Sequence, residues 1–236
     1  MNIGVNKFLV VAAELDDAHK IDKLITNHKD LLYFTTGVHP HHAKGFNDQS
    51  TERMRNLIKK YSPNALGEMG LDFFRNLSSH EEQKFAFEEQ IKLAIEFNKP
   101  LFLHQRDSHE PFIKLLNNYK TDIDKAVVHC FTGTQLELDE YLKCDFYIGL
   151  TGWICDERRN KDLRSSIKNI PLNRLMLETD SPFLIPRNLS PKPKSNRNEP
   201  KNLMHIATEI AQLRNESVEE ICNATYRNSL DFFSQA

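Results

Sequence analysis

The chain has 236 residues, enough for one large domain or two small ones, and 39% hydrophobic against 27% charged residues supplies apolar material for a core. A formal charge of −2 excludes a globally basic nucleic-acid binder but leaves room for a local basic track. No apolar run approaches the ~18 residues of a membrane span, and the N-terminus lacks the charged-then-apolar pattern of a signal peptide, so the expectation is a cytoplasmic protein with no membrane partner.

Residues 8–13 (FLVVAA) read as a buried strand, and Asp16, Asp17, Ile21, Leu24 and Ile25 as a helix after it. A strand over 32–38 runs into His39-Pro40-His41-His42, and 51–61 is helical. Residues 65–68 form a third strand, ending in the glycine-flanked carboxylate of Gly67-Glu68-Met69-Gly70. Ser78 and Ser79 each precede a glutamate by three residues, a double capping-box pattern. The helix that follows shows Phe87, Ile91, Ala94 and Ile95 on one face and stops at Asn98-Lys99-Pro100. Leu101-Phe102-Leu103 ends in His104, with Arg106 and Asp107 beyond. Helix 111–119 leads to Ala126-Val127-Val128, which ends in His129. Helix 136–142 leads to a strand over 146–150 that ends at Thr151-Gly152-Trp153. Leu175-Met176-Leu177 ends in Glu178-Thr179-Asp180. Residues 185–200 form a proline-rich loop carrying Arg187, Lys192, Lys194 and Arg197 with no acid before Glu199, and two helices fill 203–233.

Strands alternating with helices imply a parallel sheet with right-handed crossovers. The strand ends fall roughly 20 to 36 residues apart, close to the ~30 of an eight-unit β/α barrel. No glycine-rich dinucleotide fingerprint follows the first strand, which disfavours an open doubly wound sheet. The absence of any compositional break makes residues 1–236 a single domain. Seven strand candidates are found, and the few residues before the first leave no space for a further strand and its crossover helix.

In such a barrel the reactive groups stand where strands end. Those positions hold His39, Glu68, His104, His129 and Asp180, with Glu178 two residues before the last. A lone histidine there is more often a hydrogen-bonded structural residue than a ligand, and Glu68 alone reads equally well as a solvated turn residue. Several together call for a divalent cation to offset clustered carboxylates. Imidazole with carboxylate suits Zn, Mn or Fe, and carboxylate-rich sites suit Mg. Arg106 either positions substrate or forms a strand-end ion pair. Trp153 and Phe131 either stack bases or pack in the core. The four cysteines form no CxxC pair, and Cys130 reads as a small buried filler rather than a nucleophile.

Taken together the motifs resemble the TatD family of metal-dependent deoxyribonucleases, a branch of the amidohydrolase-like barrels. The matching segments are Gly37-Val38-His39-Pro40-His41, Gly67-Glu68-Met69-Gly70-Leu71-Asp72, Leu103-His104-Gln105-Arg106-Asp107, Val128-His129-Cys130-Phe131-Thr132-Gly133, Tyr147-Ile148-Gly149-Leu150-Thr151-Gly152-Trp153, Glu178-Thr179-Asp180-Ser181-Pro182 and Arg197-Asn198-Glu199-Pro200. They keep the family order across nearly the whole chain.

The resemblance implies a TIM-barrel-like (β/α)8 metallo-hydrolase fold, here with seven strands because the first βα unit is missing. It implies metal binding at Glu68, His104, His129 and Asp180, with His39, Glu178 and Asp180 handling protons or positioning the reacting groups. The expected cofactor is a divalent cation, Mg ahead of Mn or Zn, with one well-formed site and a weak second one. The expected activity is 3′→5′ exonucleolytic hydrolysis of single-stranded DNA or RNA, with a metal-activated water attacking the terminal phosphodiester. Arg106, Trp153, Arg187 and Arg197 would hold the strand. Two other readings remain open at this point: hydrolysis of a small ester or amide, and an inactive shortened form that keeps only binding.

Overall fold

A computed structural model describes residues 4–234. Among these residues, seven parallel strands appear in the sheet in the order of the chain, as the sequence pattern predicts. The described residues divide into two compact units, 6–127 with 233–234, and 4–5 with 128–232.

The first unit runs β1 (Phe8–Val10), α1 (Asp17–Thr26), β2 (Leu32–Thr36), α2 (Asp48–Tyr61), β3 (Ala65–Asp72), α3 (His80–Glu96), β4 (Leu101–Arg106) and α4 (His109–Asn117), and opens β5 (Ala126–Val128). The apolar stripe of α1 closes over the first strands, so that Ala12, Ile21 and Phe34 form a buried cluster flanked by Val10, Ile25 and Tyr61. β1 is shorter than the apolar run predicts because its last residues bond elsewhere. The Ala12 N–H donates to Thr35 Oγ1 at 3.0 Å and the Ala13 N–H to Asp17 Oδ2 at 3.2 Å. The carbonyls of Ala12 and Ala13 then accept from Glu68 N–H at 3.0 Å and His39 N–H at 2.9 Å. A frustrated strand end thereby becomes a mount for two site residues.

β3 is longer than expected and continues to Asp72, so Glu68 lies within the strand rather than at its end. The ladder with β4 shifts between Leu66 and Met69 and resumes with Met69 opposite Leu103, placing Gly70 opposite His104 and Asp72 opposite Arg106. Gly70 has φ +145°, and a Cβ there would collide with the backbone carbonyl of His104, so the two strands approach this closely only because the position is glycine.

The double capping pattern resolves into one cap. Ser79 and Glu82 form the box at the start of α3. Ser78 instead accepts from Lys44 N–H at 2.9 Å and donates to the His41 carbonyl at 3.2 Å. Two buried glutamines of α3 satisfy the backbone where neighbouring strands run out. Gln83 accepts from Asp72 N–H at 2.8 Å and donates to the Asp72 and Ser78 carbonyls. Gln90 accepts from Val38 N–H at 2.7 Å and donates back to its carbonyl at 3.1 Å, clamping the residue before His39.

The second unit holds α5 (Gln135–Lys143), β6 (Tyr147–Leu150), α6 (Lys161–Ser166), β7 (Leu175–Leu177), α7 (Leu203–Arg214) and α8 (Val218–Phe233). β6 and β7 pair in parallel with Ile148 opposite Leu175. Asn228 of α8 donates to the carbonyls of Leu172 and Leu175, tying the helix to the approach of β7. Beyond β7, Asn198 is 2% exposed and pins the loop carrying Asp180. Its amide donates to the carbonyls of Thr179 at 2.7 Å and Leu184 at 3.3 Å, and its backbone N–H to Pro182 at 2.9 Å.

Gly70→Ala should lower stability by about 3 kcal/mol, from positive-φ strain plus overpacking. A urea midpoint equal to wild type would contradict the close β3–β4 approach. Asn198→Ala should cost about 1–3 kcal/mol through two stranded carbonyls. It should also accelerate hydrogen exchange at the Phe183 amide while leaving Ile210 in α7 protected; equal exchange at Phe183 would show that the turn holds without the pin.

Candidate metal centre

In the first unit the site is built around Glu68. Its Oε1 lies 2.7 Å from His104 Nδ1 and 3.3 Å from His39 Nε2, with the glutamate side chain only 14% exposed. The two imidazole rings stand 4.5 Å apart between centroids. His39, Glu68 and His104 each offer one donor atom, all within 4.8 Å of one another. Of these, the His104 imidazole beside the Glu68 carboxylate suits a divalent cation, so the residues fit the metal expected from the sequence.

The two histidines are wired differently. His39 follows β2 in extended conformation, and its Nδ1 accepts from His41 N–H at 3.1 Å. That bond occupies the Nδ1 lone pair, so in the neutral ring the proton sits on Nε2, facing Glu68. Burial pushes the His39 pKa down against the pull of Glu68, keeping the ring neutral near pH 7. His39 is thus set up as a proton donor to the carboxylate.

His104, inside β4, stands between two carboxylates, with Nε2 3.4 Å from Asp72 Oδ2. Its Nδ1 is the nitrogen in hydrogen-bond contact with Glu68, at 2.7 Å, so the ring and the glutamate face the same point.

Asp72 is the residue whose role the sequence reading missed. It is 1% exposed, and its Oδ2 also meets His41 Nε2 at 2.6 Å. Its Oδ1 accepts the backbone N–H groups of Phe74 at 3.0 Å and Arg75 at 2.8 Å. Burial raises its pKa, but the bonds from His104, the Arg75 N–H and His41 outweigh it and hold the carboxyl well below the usual aspartate range. The signal in the sequence was its place four residues after Glu68, the i, i+4 spacing that returns to the same face of a strand.

In the second unit, His129 follows β5 and is 6% exposed, and its Nδ1 contacts the Glu178 carboxylate. Gly149 makes room for this pair, because a Cβ at that position would overlap the Glu178 carboxylate as placed. The Glu178 N–H donates to the Leu150 carbonyl at 2.9 Å, fixing the residue at the end of the β6–β7 ladder. Asp180 adopts φ +55°, and its carbonyl accepts from Phe183 N–H at 2.8 Å, which turns the chain immediately after it. Cys130 is held near Thr151, and burial pushes its thiol up to about 12, which removes it as a nucleophile.

Of the expected substrate residues, Arg106 ends β4 and lies over the Phe74 ring at 4.0 Å. Trp153 is half-buried in a 3-10 turn, and its indole N–H is buried without a hydrogen-bond partner among the described residues. Arg187 is exposed but pairs with Asp156 at 3.3 Å, an acid already gripped by Arg158 and held down to about 2. Arg197 is exposed. Phe131 is not available for base stacking. It is 3% exposed and packs edge-on against Tyr141, so the core reading of that residue is the correct one. No described helix is long and apolar enough to cross a membrane.

A family model described as TatD related DNase matches residues 2–234. A 3′-5′ ssDNA/RNA exonuclease TatD from Pantoea ananatis is 43% identical over 230 residues, covering 98% of this chain and 88% of that protein. The crystal structure of YJJV, a TatD homologue from Escherichia coli K12, aligns with TM-score 0.89 at 28% identity, covering 99% of this chain and 88% of that one. A TatD family hydrolase from Entamoeba histolytica aligns equally well, with TM-score 0.89 at 27% identity over 98% of this chain and 86% of that one. The chain belongs to the TatD-related DNase family.

Proposed function

We propose that this chain is a metal-dependent 3′→5′ exonuclease that removes nucleotides from single-stranded DNA and RNA. The observation that carries the reading is Glu68 Oε1 set within reach of both His104 and His39. The name of the Pantoea ananatis relative supports the substrate class and polarity. In this reading Glu68, His104, His129 and Asp180 hold a divalent cation, Mg in preference to Mn or Zn. When bound, the cation lowers the pKa of a coordinated water and offsets charge on the phosphoryl oxygens.

The chain's own residues do the rest. Asp180 takes the proton of the attacking water. His39 keeps a proton at Nε2, directed at Glu68, and delivers it to the departing oxygen. Glu178 fixes the His129 ring through Nδ1, so that Nε2 is the nitrogen left for a ligand. Arg106, Arg197 and Arg187 take phosphate oxygens, the last after exchanging its partner Asp156, and Trp153 contacts the strand. A cytoplasmic location belongs to the same reading, supported by four cysteines that are all free thiols.

The test uses 3′-labelled and 5′-labelled single-stranded oligonucleotides with Mg, with and without EDTA. The 3′ label should leave at once as a mononucleotide, the 5′-labelled strand should shorten stepwise, and EDTA should stop both. Glu68→Gln should lose about 100-fold or more in rate and weaken Mn binding by calorimetry. Asp180→Asn should lose about 100- to 10,000-fold. Metal-independent release, or a Glu68→Gln protein as active as wild type, would sink the assignment. Turnover of a p-nitrophenyl ester with intact oligonucleotides would instead favour the small-ester reading.

A further inference from the structure

The loop after β3 presents an aromatic side chain that the fold leaves exposed. Phe74 is 55% exposed, although the loop around it is firmly built. Phe73 stacks on His80 with ring centroids 3.5 Å apart and planes 8° from parallel. His80 Nε2 meets Asn76 Oδ1 at 2.8 Å, and Asn76 Nδ2 donates to the Phe73 carbonyl at 2.7 Å. One phenylalanine is therefore covered by its own loop, and its neighbour is turned outward by the same contacts. The Arg106 guanidinium lies 4.0 Å from the Phe74 centroid, and among the described residues Arg106 forms no ion pair.

We propose that Phe74 and Arg106 form a stacking platform for a nucleobase of the single-stranded substrate, with the Arg106 charge directed to the adjoining phosphate. The platform rests on the nuclease reading and deepens it by placing one base. Its position follows from Asp72. One oxygen of that carboxylate faces His104 and His41, and the other accepts the backbone N–H groups of Phe74 and Arg75. The Phe73 N–H also donates to the Arg106 carbonyl at 2.9 Å. Arg106 lies two residues beyond His104 in β4, about 7 Å further along the strand.

A guanidinium on one face of the ring leaves the other face open to solvent, and both an aromatic face and an arginine plane accept an unstacked base of any identity. The fixed Phe74 backbone favours the same use, since little loop ordering remains to be lost on binding. Leu77, 61% exposed, is the other open apolar side chain of this loop, and the unpaired cation beside the aromatic favours a nucleotide over a protein partner.

The test measures binding of a fluorescein-labelled phosphorothioate thymidine hexamer in Mg, and of a matching strand in which abasic tetrahydrofuran units replace the nucleosides. Phe74→Ala and Phe74→Leu should each weaken binding of the thymidine strand about tenfold, and Phe74→Trp should bind it at least as tightly as wild type. The abasic strand should show no such spread. Since Phe74 is exposed, each variant should keep the wild-type melting temperature, which separates a binding loss from misfolding. Equal affinity of wild type and Phe74→Ala, full recovery by leucine, or an equal loss with the abasic strand would overturn the platform. So would self-association of wild type that Phe74→Ala abolishes while affinity for the thymidine strand stays unchanged, because the patch would then be a protein contact. Mononucleotide release is read separately: binding with the expected spread but without metal-dependent release removes the nuclease reading and leaves the platform standing.

Discussion

Two neighbouring peptide carbonyls, those of Ala12 and Ala13, set the position of the candidate metal centre in the first unit. Each accepts a backbone N–H from a residue that carries chemistry, Glu68 in one case and His39 in the other. The carbonyls are available because the strand before them gives up its ladder, its own N–H groups going to Thr35 and Asp17. A main-chain mount of this kind fixes Cα positions without ordering a long side chain. The glutamines of α3 extend the principle by terminating the strands that lead to His39 and Asp72. A buried carboxylate between two imidazoles is costly to hold, and the surrounding backbone bonds keep it in place when the side chains alone would spread apart.

Asp72 gives this arrangement a second level. Its two oxygens look in different directions, one toward the histidine rings and one toward the turn that follows the strand. The same anion orients an imidazole and shapes a surface loop. Any displacement of that loop therefore reaches His104 through a single charged group, and a change at His104 travels outward by the same route.

Much of this was legible in the sequence. Apolar runs ending in His39, His129 and Glu178 mark strand ends, whereas β4 continues past His104 to Arg106, and the alternation with helical stretches gives the parallel α/β class and its seven strands. The parts that were not legible share a cause, namely backbone bonds made far away in the chain. Glu68 stands inside β3 because Gly70 allows an approach that no local pattern encodes. Ser78 and Ser79 carry the same capping signature, yet Ser78 is drawn off by the loop of His41 and Lys44. Gln83, Gln90 and Asn198 look like ordinary polar residues until the orphaned carbonyls and N–H groups they satisfy are in view. Arg187 reads as a free cation in a basic loop, but its partner Asp156 lies outside that loop and could not be guessed from the run of prolines and lysines.

Asn198 also bears on how the segment before it can vary. By holding Thr179, Pro182 and Leu184, it brings the end of the proline-rich loop back to its beginning. The residues between Leu184 and Asn198 thus form a closed excursion whose two feet stand on one amide group. The entropy of closing such an excursion rises only with the logarithm of its length, about 0.6 kcal/mol for each doubling. Lengthening, shortening or recharging that excursion should therefore leave the turn bearing Asp180 where it is.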